Sequence, residues 1–230
     1  MIPVLFYLPG TCAFGSIVTL EWLGLPFNLC RLDRESLHSP AYRSINPLSQ
    51  VPTFASVEGV ITESNAILEH LGFLGLKKKL AYAQGTPDFD HLNQIMSFLT
   101  TSLHTSMNPI VHPDRAADAA LSRADVVHKA KTETVPARLA HVEQILDRHE
   151  WLCGANPTIA DAYFYGVGRK AKEFIQLAAD FPKIASFFVR FSQDPGVLFA
   201  QAIEDGNKSP GGTGGFRGEL SPALALALAR

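Results

Sequence analysis

The 230-residue sequence holds only three cysteines, at positions 12, 30 and 153, and no two of them are spaced as CxxC. An odd count without that spacing argues against a disulfide framework and a zinc knuckle. Charge is sparse, at 18% of residues, and nearly balanced, with 20 Lys and Arg against 22 Asp and Glu. Such a chain has no positive field to attract a phosphate backbone, so no nucleic-acid partner is expected. Charges, prolines or glycines interrupt every apolar run before it reaches the ~18 residues of a membrane span, and no membrane partner is expected either. The first eight residues lack a basic leader and meet Pro9-Gly10 too soon for a signal peptide. With unpaired cysteines, this points to the reducing cytoplasm. No histidine falls in an HExxH spacing, and His104, His112 and Asp114 are too irregularly placed to suggest a metal, so none is expected.

Apolar residues are plentiful instead, at 47% of the chain, which excludes intrinsic disorder and supplies a sizeable core. The first 75 or so residues alternate strand-like and helical stretches. Ile2 to Tyr7 reads as a buried strand closed by Pro9-Gly10, and Ser16 to Leu23 as a helix leaving at Gly24 and Pro26. Phe27 to Leu32 is a second strand, and Ser39 to Ser44 a brief helix. Thr53 to Val57 and Val60 to Thr62 flank a Glu58-Gly59 hairpin turn, and Ala66, Ile67 and Leu71 mark one helix face. The fold class is therefore α+β, in the order βαβαββα, followed by an all-helical half.

Residues 1–77 form the first expected domain, 78–88 a linker and 89–205 the helical domain. In the last, Phe89, Leu92, Met96, Leu99 and Leu103 share a stripe ended by Asn108-Pro109. Pro136 must kink or divide the tract from Arg115 to His149. Thr158-Ile159-Ala160-Asp161 reads as a capping box, and Pro182 and Pro195 as first-turn prolines of two more helices. Residues 206–218 contain six of the 17 glycines, so 206–230 is expected to be a disordered tail. The run Lys77 to Lys79 reads as a solvated loop.

Five stretches can carry chemistry. Cys12 follows Pro9-Gly10-Thr11 at the start of a helix, where backbone N–H groups and the dipole favour a thiolate; the plain alternative is a small buried hydrophobe. Val51-Pro52 opens a strand, where a cis bond would offer the Val51 backbone to a peptide-like ligand, against an ordinary trans turn. Glu63-Ser64 begins a helix and suits a ligand carboxylate and ammonium, or is only a good N-cap. Tyr7 offers a phenol to a nearby thiolate or is a core tyrosine. His104 is a donor across a cleft or an interfacial histidine.

Taken together, Phe6-Tyr7-Leu8-Pro9-Gly10-Thr11-Cys12, Asn46-Pro47-Leu48-Ser49-Gln50-Val51-Pro52 and Thr62-Glu63-Ser64-Asn65-Ala66-Ile67 resemble the N-terminal half of cytosolic glutathione transferases. The cysteine points to the bacterial beta class. The likeness continues through Leu103-His104, Pro113-Asp114, Trp151-Leu152-Cys153-Gly154 and Thr158 to Tyr163, covering roughly residues 2 to 204. It implies a thioredoxin-like N-terminal domain, an all-α C-terminal domain, a homodimer, and glutathione as cosubstrate with a small hydrophobic electrophile. By the same resemblance Cys12, Tyr7 and His104 are catalytic. Cys12, Val51, Pro52, Glu63 and Ser64 hold glutathione, and Pro52 is cis. The implied chemistry is conjugation, or disulfide or peroxide reduction through Cys12. A non-catalytic ligand-binding protein and a glutathione-dependent dehalogenase or ether-cleaving enzyme are the alternatives. Phe14 and Met107 are candidates for the electrophile's pocket. The sequence departs from the family pattern at Ala13, Ile17, Ser97 and Thr105, and has no clear match to the family's lysine near Leu37 and His38.

Overall fold

The computed structural model describes residues 1–116, 118 and 120–229. Four strands build the sheet as expected: β1 (Val4–Tyr7), β2 (Phe27–Arg31), β3 (Thr53–Ser56) and β4 (Gly59–Thr62). β2 runs parallel to β1, while β3 is antiparallel to both β1 and β4. Every residue of β1 is buried. Alternation sends Leu5 and Tyr7 into the main core and Val4 and Phe6 into a smaller cluster, with Cys30, Leu32 and Tyr42.

The crossover helix α1 (Ala13–Leu23) starts three residues earlier than its periodicity suggests, with Cys12 as N-cap. All its residues except Trp22 are buried, so it has no polar face for a periodic pattern to report. It stops at Gly24, whose φ of 64° suits glycine and whose N–H reaches the Leu20 and Glu21 carbonyls. Lys78, expected in solvent, donates from Nζ to the Trp22 and Leu23 carbonyls at 2.8 and 3.0 Å, satisfying the same helix end. The stretch after β2 forms two short helices, α2 (Arg34–Leu37) and α3 (Pro40–Arg43), rather than one. Asp33 and Ser39 cap them separately. The hairpin leads into α4 (Ser64–Leu74).

The helical half begins with α5 (Pro87–Ser97), which continues through a wide-turn stretch, Phe98–His104, into α6 (Thr105–Val111). Pro109 lies inside α6, two residues before the helix stops, instead of ending it. The tract around Pro136 is divided: α7 (Arg123–Lys129) and a wide-turn stretch, Ala130–Thr134, precede α8 (Val135–Arg148), with the proline in the first turn of α8. α9 (Ile159–Gly168) opens with the capping box. Asp161 accepts from the Thr158 N–H and hydroxyl at 2.8 and 3.0 Å and from Leu152 N–H at 2.9 Å. Then come α10 (Leu177–Asp180), α11 (Pro182–Phe191) and α12 (Pro195–Glu204). α1 packs against α4, α9 and α12, which joins the two halves.

The expectation of a disordered tail is overturned. Residues Phe216–Glu219 form β5, parallel to β2, so the sheet has five strands in the order β4-β3-β1-β2-β5. Pro222–Leu228 form α13, whose Ala225 and Leu226 complete the cluster around Val4 and Phe6. The glycines serve close approach. A Cβ at Gly215 would stand 2.6 Å from the Leu25 carbonyl oxygen, and one at Gly212 would collide with the Glu21 carboxylate.

Candidate active site

At the carboxyl end of β1, the loop from Leu8 to Thr11 is fixed by its own bonds and by the helical half. Thr11 Oγ1 donates to the Leu8 carbonyl at 2.7 Å. The Gly10 N–H, at φ 73°, donates to Glu204 Oε1 at 2.8 Å. The other Glu204 oxygen pairs with Arg169 at 2.7 Å, and the Arg169 guanidinium lies 3.9 Å from the centre of the Phe14 ring. This nearly buried pair connects α12 and the end of α9 to the loop that delivers Cys12.

The Cys12 sulfur receives a bond from Ser64 Oγ at 3.3 Å and approaches the Val51 carbonyl at 3.7 Å. Ser64 is the first residue of α4, after Glu63 as N-cap, but it makes no capping bond. Its hydroxyl serves the sulfur, and the plain reading as an N-cap does not hold. Glu63 is exposed at φ 71°, a strained conformation for a residue with a side chain. The Val51–Pro52 peptide is cis. The three sequence stretches around residues 12, 51 and 64 therefore meet at one sulfur.

Burial pushes the Cys12 thiol above its ordinary range; the Ser64 bond and the charge of Lys170 pull it down, and Glu63 adds to the rise. A neutral thiol fits the geometry, accepting from Ser64 and donating to Val51. Lys170, in the helical turn Arg169–Glu173, escaped the sequence reading because nothing in its neighbourhood resembles a site motif.

Tyr7 and His104 are engaged elsewhere. The Tyr7 hydroxyl donates to Glu219 Oε1 at 2.8 Å, and burial, then this carboxylate, push the phenol well above its usual range. No hydrogen bond joins it to Cys12 among the described residues. His104 Nδ1 shares a 2.7 Å hydrogen bond with the Tyr163 hydroxyl. Burial and then the charge of Lys170 lower its pKa, so the ring is neutral at pH 7. Tyr163 is pushed upward by burial, and negative charge on Cys12, if it ionises, or on Glu63 pushes it further. Its only signal in the sequence was its place in the α9 motif. Phe14 and Met107 are core residues, at 0% and 2% exposure, and cannot line an open pocket. Among the described residues no group of His, Cys, Asp or Glu is arranged to hold a metal, and no helix is long and apolar enough to cross a membrane.

Residues 4–72 match the model of the glutathione S-transferase N-terminal domain, and residues 104–198 that of the C-terminal domain of the same family. The chain belongs to the glutathione S-transferase family. It is 28% identical over 204 residues to glutathione S-transferase GstA of Escherichia coli O157:H7, covering 87% of this chain and 98% of that one. A glutathione transferase structure from Methylococcus capsulatus superposes with a TM-score of 0.78 at 26% identity, covering 89% of this transferase and 99% of the other. A sphingomonad glutathione S-transferase complexed with glutathione superposes with a TM-score of 0.76 at 27% identity, covering 88% and 98%. The fold of this transferase is thus a thioredoxin-like N-terminal domain joined to a helical one, with the fifth strand added at the edge of its sheet.

Proposed function

We propose that this protein binds glutathione at the carboxyl end of β1 and transfers it, with Cys12 as the reactive group of the site. The tripeptide lies along Val51 and Pro52, its γ-glutamyl end at Glu63 and Ser64 and its sulfur beside Cys12. The observation that carries this reading is the meeting of the Ser64 hydroxyl and the Val51 carbonyl at the Cys12 sulfur. It is supported by the glutathione held in a relative with the same fold.

Two reactions suit this arrangement. In conjugation, the glutathione thiolate attacks a small hydrophobic electrophile, whose leaving group departs with the electron pair. In exchange, the Cys12 thiolate attacks a disulfide of glutathione, forms a mixed disulfide and releases one glutathione thiolate. Cys12 is the only partly exposed cysteine, and Cys30 and Cys153 are buried, which favours exchange at a single position. His104 and Tyr163 form a neutral, hydrogen-bonded pair on the helical side of the sulfur. We place the protein with the bacterial beta class, as a cytoplasmic homodimer acting in detoxification without a metal.

Incubation with glutathione disulfide followed by peptide mapping tests the site. A glutathione adduct on Cys12 alone is the expected result. Adducts on Cys30 or Cys153, or none despite bound glutathione, would remove Cys12 from the reaction. Sedimentation then checks for two copies per particle.

A further inference from the structure

Glu204 ends α12 and lies beyond residue 198, where the C-terminal family match stops, so it belongs to neither matched region. Its place in the fold is nevertheless fixed. Arg31 Nη1 reaches its carbonyl at 3.4 Å, and Phe199 of α12 packs against Phe27 and Phe216 at ring separations of 6.1 and 5.5 Å. Phe216 belongs to the strap that follows, residues 206–229. This strap holds the buried Glu21 carboxylate through the Thr213 N–H, adds β5 beside β2 and closes the small core with α13.

Each oxygen of the Glu204 carboxylate has its own partner. Oε1 accepts from the Gly10 N–H at 2.8 Å, and Oε2 pairs at 2.7 Å with Arg169, whose guanidinium lies 3.9 Å from the centre of the Phe14 ring. Gly10 stands two residues before Cys12, and Phe14 two residues after it. One ion pair of the helical half therefore grips the chain on both sides of the cysteine. The hydrogen-bond partners of the sulfur, Ser64 and Val51, belong to the other half of the molecule, at 3.3 and 3.7 Å. A displacement of about 1 Å is enough to undo an alignment of this kind.

We propose that Glu204 is a positioning residue for the reaction: with Arg169 fixing its carboxylate, it anchors Gly10 so that the Cys12 sulfur stays on the Ser64 hydroxyl. Docking of the helical half onto the loop thereby sets the reactivity of a thiol whose partners lie in the thioredoxin-like half. The inference rests on the reading of Cys12 as the reactive group. A side chain that only held the fold together would change stability and leave the titration of the thiol where it is.

The test is a double-mutant cycle on the pH profile of iodoacetamide labelling at Cys12, read by peptide mapping in the full chain, Glu204→Ala, Ser64→Ala and the double variant. Glu204→Ala is expected to move the profile to higher pH and to slow labelling at pH 7 by about fivefold, most of the roughly tenfold lost with the Ser64 hydroxyl itself. In the Ser64→Ala background there is no contact left to protect, and the same substitution should change the rate by less than about twofold. Glu204→Gln still offers Gly10 an acceptor and should stay within about twofold of the full chain. An unshifted or lowered profile in Glu204→Ala, a shift of equal size without Ser64, or an equal loss in Glu204→Gln would overturn the proposal. Cys30 and Cys153 are buried, so their labelling reports unfolding. Should it appear in Glu204→Ala, Glu204→Asp keeps a charge for Arg169, draws the carboxylate back from Gly10 by one methylene and carries the same comparison, with an expected loss of about threefold. No glutathione enters the assay, so a missing glutathione adduct on Cys12 and a failed coupling are separate results.

Discussion

The Ser64 hydroxyl donates to the Cys12 sulfur across 3.3 Å, which ties the first turn of α4 to the N-cap of α1. The bond stabilises the anion more than the thiol, opposing the effect of burial. Ser64→Ala should therefore raise the pKa of Cys12 and slow its alkylation at pH 7 by about tenfold. The pH dependence of iodoacetamide labelling measures this. An unshifted profile would mean that the hydroxyl does not act on the sulfur.

Glu204 and Arg169 form an ion pair with side chains only 7% and 14% exposed, and the same carboxylate holds the Gly10 N–H. Breaking such a pair leaves one charge buried, so Glu204→Ala should cost about 3 kcal/mol in urea unfolding. Glu204→Gln keeps an acceptor for Gly10 and should cost less. Equal losses in the two variants would show that the charge is unimportant.

His104 has a lowered pKa in the folded protein, so below about 6.5 the unfolded chain binds the extra proton more readily. Its contribution to stability is present above that pH and falls as pH drops from about 6.5 toward the folded value. Asp161 works in the opposite sense: burial raises it to about 6, so stability falls as pH rises from about 4 to about 6. The effect of His104 is isolated by comparing the native chain with His104→Gln at pH 7.5 and 5. The native chain should lose more stability on acidification than the variant, and parallel curves would refute this.

Gly215 and Gly211 should respond differently to alanine. A Cβ at Gly215 meets the Leu25 carbonyl at 2.6 Å, whereas one at Gly211 has nothing within 4 Å. Gly215→Ala is expected to loosen the strap and speed proteolysis between residues 206 and 230, and Gly211→Ala to leave it unchanged. Similar digestion of both would argue against a close-packed strap.

Local chemistry made much of this protein legible from its sequence. The hairpin at Glu58-Gly59, the helix stop at Gly24, the capping box at Thr158 and Asp161, and the first-turn prolines at 182 and 195 depend on residues close in the chain. Periodicity failed where burial surrounds an element, as in α1, because a helix covered on nearly every side shows no polar face.

Side-chain partners distant in the chain were decided by tertiary structure alone. Ser64 reads as an N-cap until folding brings it to Cys12, and Tyr7 reads as a neighbour of the cysteine until β5 presents Glu219. The glycines from 206 to 218 read as flexibility, because composition records backbone freedom and not the surface it must fit. Only the packed fold shows that the freedom at Gly212 and Gly215 admits the strap against α1. The sequence by itself determined the order of strands β1 to β4, the main helices up to α12 and the three stretches that meet at Cys12, but not β5 or α13. Which hydroxyl faces which sulfur or carboxylate followed from packing, because those partners stand 52 and 212 residues apart.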